Sequence, residues 1–258
     1  RTVFYIASFP TAFFFSAVYT ESTFLLFSVA TMYHARREQW GLAAVMGLLA
    51  AGTRIVGVSL AAVVLLEWLR VHGCTIATCF KASAWRGLWL GLKQDWVAVA
   101  FISLIPLGLL SYMLFLQLQF QDPLAFMTVQ AAWNRENLGP VTIVSRELGG
   151  LLQQDLLAGD IWWHVVLDLS CFALAMVMMV VAWFRLGEHY AILIALGMLI
   201  PISSSTQSLS RYLLVLFPVF MVLGWYGRHV LLDRTLMVFF NVLLGIATAI
   251  FTNWIFIA

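Results

Sequence analysis

The fold class is decided by two apolar stretches, which are residues 162–184, WWHVVLDLSCFALAMVMMVVAWF, and residues 235–257, TLMVFFNVLLGIATAIFTNWIFI. A helix needs roughly 20 apolar residues to cross a bilayer core of about 30 Å, and both stretches are long enough. Asp168 is the one Asp, Glu, Lys or Arg residue in the two stretches together. Both are therefore predicted to be transmembrane helices.

The composition of the whole chain agrees with these two stretches. Hydrophobic residues make up 63% of the 258 residues and charged residues 10%, and the mean hydropathy is +0.95. Soluble domains carry about 25% charged residues, so a chain this apolar needs lipid as its solvent. The net charge of +2 is too small to indicate a nucleic-acid partner.

Apolar runs recur along the chain and predict an all-α, polytopic transmembrane helix bundle with about eight to nine membrane helices. They lie near residues 2–18, 22–35, 40–53, 56–69, 96–118, 162–184, 189–203, 211–227 and 235–257. We expect one transmembrane domain over residues 1–258. Residues 119–161 are predicted to be a non-cytoplasmic loop with a short interfacial helix.

The stretch 40–69 is interpreted as two helices broken at Gly52-Thr53-Arg54. Two helices place Arg36 and Arg37 on the same side as the basic segment 70–95, and they group Arg185, Arg228 and Arg234 with that side. Lys and Arg are concentrated on the cytoplasmic side of membrane proteins, so this side is predicted to be cytoplasmic. Compact loops favour a bacterial plasma membrane over the endoplasmic reticulum.

Neither the start of the chain nor its cysteines lead us to expect a signal peptide or a cofactor. The chain opens on Arg1 inside an apolar run, without a signal peptide, and we expect an N-terminal truncation. Cys74, Cys79 and Cys171 are too few and too scattered for a disulfide framework, and no metal site or cofactor is predicted. Walker, GxSxG, HExxH and GxGxxG motifs are missing from the sequence.

Polar residues at the predicted non-cytoplasmic ends of the helices are the candidates for function. A charge at membrane depth costs several kcal/mol unless it is paired or faces water. Glu21 is either a helix N-terminal residue that Thr20 or Ser22 caps or part of a ligand site, and the two interpretations are compatible. For Arg54 we favour contact with an anion such as phosphate over a structural ion pair.

Three further parts of the sequence give weaker evidence for a functional site. Gln130, Trp133 and Arg135 fit an aromatic anchor at the membrane interface better than a sugar-binding platform. The hydroxyl-rich segment 203–210 leads into Arg211, and Asp168 is predicted to make a buried hydrogen bond within the bundle.

In these motifs the sequence resembles the PIG-V-type mannosyltransferases, which are membrane glycosyltransferases of the GT-C class. The resemblance covers nearly the whole chain in order. It rests on Phe9-Pro10, Tyr19-Thr20-Glu21-Ser22, Thr53-Arg54 with Gly57, Asp122-Pro123-Leu124-Ala125-Phe126 with Gln130, Trp133 and Arg135, and Ser208-Leu209-Ser210-Arg211-Tyr212 with Phe217-Pro218.

The resemblance implies transfer of a mannose-type sugar, with inversion, from a polyprenyl- or dolichyl-phosphate donor to a glycan, lipid or protein-linked acceptor on the non-cytoplasmic face. It implies Glu21 as a catalytic carboxylate and a set of substrate-binding residues consisting of Arg54, Gln130, Trp133, Arg135, Arg211 and Tyr212. GT-C enzymes place an acidic catalytic residue in the first non-cytoplasmic loop, which this sequence lacks. The alternative functions are a multi-pass transporter with a polar substrate path and a structural membrane subunit.

Overall fold

The computed structural model describes residues 1–79, 81–130, 138–153 and 162–254, and the described residues form an all-α fold, as predicted. The helices are α1 (Thr2–Ser8), α2 (Glu21–Arg36), α3 (Trp40–Thr53), α4 (Ser59–Val71), α5 (Ala82–Gln94), α6 (Trp96–Ile102), α7 (Leu107–Phe120), α8 (Ala125–Thr128), α9 (Pro140–Gln153), α10 (Trp162–Arg185), α11 (Glu188–Ile202), α12 (Leu209–Leu214), α13 (Phe217–Tyr226) and α14 (Val230–Thr252). Two 3-10 turns, Ala12–Phe15 and Ile55–Val58, lie between helices.

Within the described part of the chain, three helical segments are long and apolar enough to cross a membrane. They are Trp96–Phe120, Val165–Arg185 and Val230–Thr252. The prediction of about eight to nine membrane helices is therefore wrong. Other apolar runs fold into shorter helices such as α3, which rises about 21 Å at 1.5 Å per residue and falls short of a bilayer core of about 30 Å.

The predicted break between α3 and α4 is confirmed. Arg54 follows the last residue of α3 and has an extended backbone, with φ −148° and ψ 140°. The 3-10 turn that follows packs tightly on the end of α3, because a Cβ atom on Gly57 would lie 2.4 Å from the Ala50 carbonyl oxygen. Glycine at this position allows a tight turn between α3 and α4, and Arg54 lies at the start of that turn.

The packing of the helices brings three distant segments to one end of the bundle. α2 packs on α3, α4 on α11, and α10 on α11 and α12. Large side chains such as Phe24, Trp68 and Phe220 are buried between them. The first turn of α2, the α3–α4 turn and α12 consequently lie side by side.

Two fully buried carboxylates mark the two ends of this bundle. Glu67, near the end of α4, accepts hydrogen bonds from Arg70 Nε (2.9 Å) and Nη2 (2.7 Å), and Arg36 Nη1 lies 3.4 Å from it. Burial raises the pKa of Glu67, but the Arg70 hydrogen bonds and the neighbouring positive charges outweigh burial and hold it below its usual value. Glu21 begins α2 and Arg36 ends it, so the two ends are about 22 Å apart along the helix. We name them the Glu21 end and the Glu67 end.

The Glu67 end carries the basic residues that were predicted to share one side. Arg36 and Arg70 both contact Glu67. Arg185 ends α10, next to the start of α11, and both Arg185 and Arg228 lie over the Trp225 ring. The start of α11 lies at the Glu67 end, since His189 Nδ1 is 3.5 Å from Glu67 Oε2, so Arg185 lies near this end as well. That this end faces the cytoplasm stays a prediction.

Residues 119–161 contain more helix than the sequence predicted. The short helix α8 is preceded by Asp122, whose carboxylate accepts hydrogen bonds from the Leu124 backbone N–H and the Thr128 hydroxyl. The helix α9 was not predicted, because the acidic residues of the region favoured a polar loop. It packs on α10 and α11, with Ile143 fully buried, so this part of the region belongs to the bundle.

Candidate functional site

Glu21, Arg54 and Arg211 meet at the Glu21 end, although 190 residues separate the first from the last. Arg211 donates two hydrogen bonds to Glu21 Oε1, from Nε at 3.0 Å and from Nη2 at 2.6 Å. Arg54 Nη1 donates to the same oxygen at 3.0 Å. These three residues, all predicted to lie at non-cytoplasmic ends of helices, therefore contact one another, and we name them the Glu21 cluster.

The Glu21 cluster is almost fully enclosed and carries excess positive charge. The Glu21 side chain has no exposed surface, and those of Arg54 and Arg211 are 12% and 13% exposed. Two guanidinium charges face one carboxylate, so one positive charge has no counter-charge within the cluster. Among the described residues, Glu21 Oε2 is buried without a hydrogen-bond partner, and the Arg54 side chain donates its hydrogen bond from Nη1 alone.

Aromatic rings hold both guanidinium groups in place. The guanidinium carbon of Arg211 lies 4.4 Å from the ring centres of both Phe14 and Tyr19. That of Arg54 lies 4.8 Å from the ring centre of Tyr212. Cation–π contacts of this kind stabilise an arginine by roughly 0.5–2 kcal/mol and restrict the plane of its fork.

Glu21 occupies the first turn of α2, but the predicted capping is wrong. Thr20 is the residue before the helix and makes no capping hydrogen bond through its side chain. The Ser22 hydroxyl donates instead to the Phe15 carbonyl oxygen at 2.9 Å. The Glu21 carboxylate lies at the positive end of the α2 dipole, and it is directed to the two arginines.

Asp168 from α10 fixes the segment that carries Arg211. Its carboxylate accepts hydrogen bonds from the backbone N–H groups of Ser208 (3.1 Å) and Ser210 (2.8 Å), and the Thr11 hydroxyl donates to the Ser210 carbonyl oxygen at 3.3 Å. Ser208 has φ +70°, which disfavours residues other than glycine. The predicted buried hydrogen bond of Asp168 is confirmed, and its effect is to cap α12 from another helix.

We expect Asp168→Ala to destabilise the folded protein by at least about 2 kcal/mol, because two buried N–H groups lose their acceptor and each such loss costs about 1–3 kcal/mol. Asp168→Asn keeps one acceptor oxygen and is expected to cost less. The measurement is thermal or denaturant unfolding of the detergent-solubilised protein. Ser170→Ala, an exposed position on the same helix, is the control, and an equal loss in both alanine variants would contradict the capping role.

The structure describes two of the four remaining predicted site residues. Tyr212 contacts Arg54 and so belongs to the site region. Gln130 lies just after α8 and makes no hydrogen bond to the Glu21 cluster within the described structure. Trp133 and Arg135 lie outside the described residues, so their predicted place in the site is not tested.

The rings around the arginines were missed in part by sequence reasoning. Phe14 contacts Arg211, and the ring centre of Phe24 lies 6.0 Å from the guanidinium carbon of Arg54. The run Phe13-Phe14-Phe15, which ends four residues before Tyr19, is the part of the sequence that could have indicated these contacts. In an apolar chain, a run of phenylalanines is usually a membrane anchor or part of the core. Such a run therefore does not by itself predict a contact with arginine.

The Glu21 cluster has the chemistry of an anion site. Two arginines with unused N–H donors, an excess positive charge and low exposure suit a phosphate group, which guanidinium binds in a bidentate manner. In the described segments no three or more His, Cys, Asp or Glu residues lie close enough together to hold a metal ion. Comparison of the chain with protein-family models, curated proteins and solved structures found no match.

Proposed function

We propose that the protein is an integral membrane glycosyltransferase of the GT-C type, which transfers a mannose-type sugar from a polyprenyl- or dolichyl-phosphate donor to a glycan or lipid acceptor. The observation that carries the proposal is the Glu21 cluster, in which two nearly buried arginines share a single carboxylate oxygen. One positive charge is left for the phosphate of the donor. The proposal includes a bacterial plasma membrane location, with the Glu67 end in the cytoplasm because it carries the basic residues.

The depth of the cluster supports a donor that is itself a membrane lipid. Asp168, which caps the helix that carries Arg211, lies three residues after Val165, where one candidate membrane span begins. Three residues of helix rise about 4.5 Å, so Arg211 is close to the end of this span. The phosphate of a lipid-linked sugar lies at the same level, at the boundary between hydrocarbon and water.

An apolar groove beside the cluster supports a long isoprenoid chain on the donor. The groove has a volume of about 370 Å³ and runs between the candidate spans α10 and α14, with Phe9 and Pro10 in its wall. Its lining reaches Ile250, and the next residue, Phe251, packs on Phe14 with ring centres 5.4 Å apart. Because Arg211 lies over Phe14, a chain in this groove ends near the phosphate-binding arginines.

The proposed reaction forms one bond and breaks one bond at the anomeric carbon of the sugar. The acceptor hydroxyl oxygen attacks that carbon, and the bond from the carbon to the phosphate oxygen breaks, with its electron pair leaving on the phosphate. Arg54 and Arg211 stabilise the charge that develops on the departing polyprenyl phosphate. The proton of the acceptor hydroxyl passes to a carboxylate, and attack from the face opposite the phosphate inverts the anomeric configuration.

Glu21 is the carboxylate that the described residues offer for this proton transfer. Its Oε1 atom is occupied by both arginines, whereas Oε2 is without a partner among the described residues. In the proposed mechanism the donor phosphate takes over part of the guanidinium hydrogen bonds, and Oε2 accepts the proton. Gln130, Trp133, Arg135 and Tyr212 complete the proposal as residues that contact the substrates.

The experiment is an assay of the reconstituted protein with radiolabelled polyprenyl-phosphate mannose and a total membrane-lipid extract as acceptor source. We expect labelled product and released polyprenyl phosphate, and we expect no product when GDP-mannose is the donor. A transporter would move the donor without cleaving its sugar–phosphate bond. Undiminished cleavage by an Arg54→Ala, Arg211→Ala double variant, or an intact donor with the wild-type protein, would rule the proposal out.

A further inference from the structure

Two arginines flank one tryptophan at the opposite end of the bundle, far from the Glu21 cluster. The guanidinium carbons of Arg185 and Arg228 lie 4.4 Å and 5.5 Å from the Trp225 ring centre. A cavity of about 170 Å³, which Arg185, Leu186, Val222 and Trp225 line, opens beside them. The cleft therefore presents an aromatic platform and the guanidinium group of Arg185, and Arg228 lies over the same aromatic ring without lining the cavity.

Neither arginine is neutralised by a carboxylate in the part of the chain that the structure describes. The ion pairs there involve other arginines, such as Arg36 and Arg70 with Glu67. The acidic residue nearest in sequence, Glu188, accepts a hydrogen bond from the Ile76 backbone N–H. Two like charges held beside one ring repel each other, so an anion close to them lowers the energy of the arrangement.

The cleft lies where the headgroups of a membrane meet the protein. Arg185 is the last residue of the candidate span Val165–Arg185, and Trp183 and Phe184 just before it are exposed. Tryptophan is enriched at membrane–water boundaries, and the neighbouring exposed aromatic side chains fit that level. The anion that is present at this level in high concentration is the phosphate of a membrane lipid.

We propose that Arg185, Trp225 and Arg228 form a binding site for the phosphate of an anionic lipid headgroup at the Glu67 end. The two guanidiniums bind the phosphate oxygens, and Trp225 packs against the glycerol and upper acyl chain of the lipid. Basic clefts between membrane helices on the cytoplasmic side are known to hold anionic headgroups. The site is separate from the Glu21 cluster and does not depend on the function proposed for that cluster.

The test is native mass spectrometry of the detergent-solubilised full chain with phosphatidylglycerol, with phosphatidylcholine, or with inorganic phosphate. We expect tight binding of one phosphatidylglycerol molecule. Arg185→Gln and Arg228→Gln should each weaken it about fivefold, which is the electrostatic contribution of one basic residue near an anionic lipid surface. Trp225→Leu keeps both charges and should also weaken phosphatidylglycerol binding.

The matched control is the double variant Arg37→Gln, Arg234→Gln. It removes the same charge from exposed arginines, and Arg37 lies over a single ring, that of Tyr33. An equal loss of phosphatidylglycerol binding in this control, equal affinity for phosphatidylcholine, or displacement of the lipid by millimolar inorganic phosphate would overturn the proposal. Unchanged thermal unfolding of the Arg185→Gln, Arg228→Gln variant shows that any lost binding is not lost folding.

Discussion

Arg211→Ala is expected to lower sugar transfer about 10²- to 10³-fold, the usual effect of removing one preorganised donor that stabilises developing charge. Arg211 provides two of the three hydrogen bonds to Glu21 Oε1, and Arg54 provides the third. Without Arg211 the cluster has no excess positive charge, because Arg54 and Glu21 neutralise each other. The donor phosphate then loses both its counter-charge and one bidentate fork.

The folded state is expected to survive this change, because Glu21 keeps Arg54 as a partner. Arg211→Lys retains the charge but not the planar fork, so its activity should lie between those of wild type and Arg211→Ala. The measurements are initial rates of release of polyprenyl phosphate together with thermal unfolding. Arg37→Ala, at an exposed position of the Glu67 end, serves as the control, and a fully active Arg211→Ala protein would be incompatible with the assigned role.

Glu21→Ala is expected to lower stability as well as sugar transfer, with a loss of about 3–5 kcal/mol in the free energy of unfolding. It leaves two guanidiniums that are 12% and 13% exposed without their shared carboxylate. Removing one partner of a buried ion pair costs more than the pair itself contributes, because the remaining charge has lost its solvation. Here two positive charges remain, and they also repel each other.

The same variant separates an anion site from a purely structural ion pair. If the cluster binds phosphate, millimolar inorganic phosphate should recover part of the lost unfolding temperature of Glu21→Ala, since a ligand that binds only the folded state stabilises it. Glu67→Ala is the comparison, because its partners Arg36 and Arg70 are 44% and 40% exposed and keep more hydration. It should lose less stability, and a larger loss there than at Glu21 would contradict this account.

The sequence predicted the break at Arg54 and placed Glu21, Arg54, Arg135 and Arg211 at one end of the helices, since charge is expensive in an apolar chain; Arg135 lies outside the described residues. It did not predict how they are arranged. Residues 33 and 190 positions apart give no local pattern from which a shared oxygen could be inferred. The arrangement of two guanidinium groups around one carboxylate oxygen comes from tertiary packing.

The number of membrane spans was overestimated for a related reason. Apolar composition does not distinguish a helix that contacts lipid from one that is buried among other helices. The short apolar helices are partly buried in the bundle; they are α3, α11 and α13. The length of an unbroken helix depends on turns such as Gly57 and on tertiary caps such as Asp168. Both act through close contacts that hydropathy does not record.

The single oxygen that both guanidiniums share has a consequence for anion selectivity in the proposed donor site. Glu21 Oε1 already accepts hydrogen bonds from both forks, so chloride or another small monovalent ion would gain little by replacing it. A phosphate ester carries several oxygens and can accept hydrogen bonds from both forks at once. We therefore expect the proposed site to bind phosphate esters in preference to chloride.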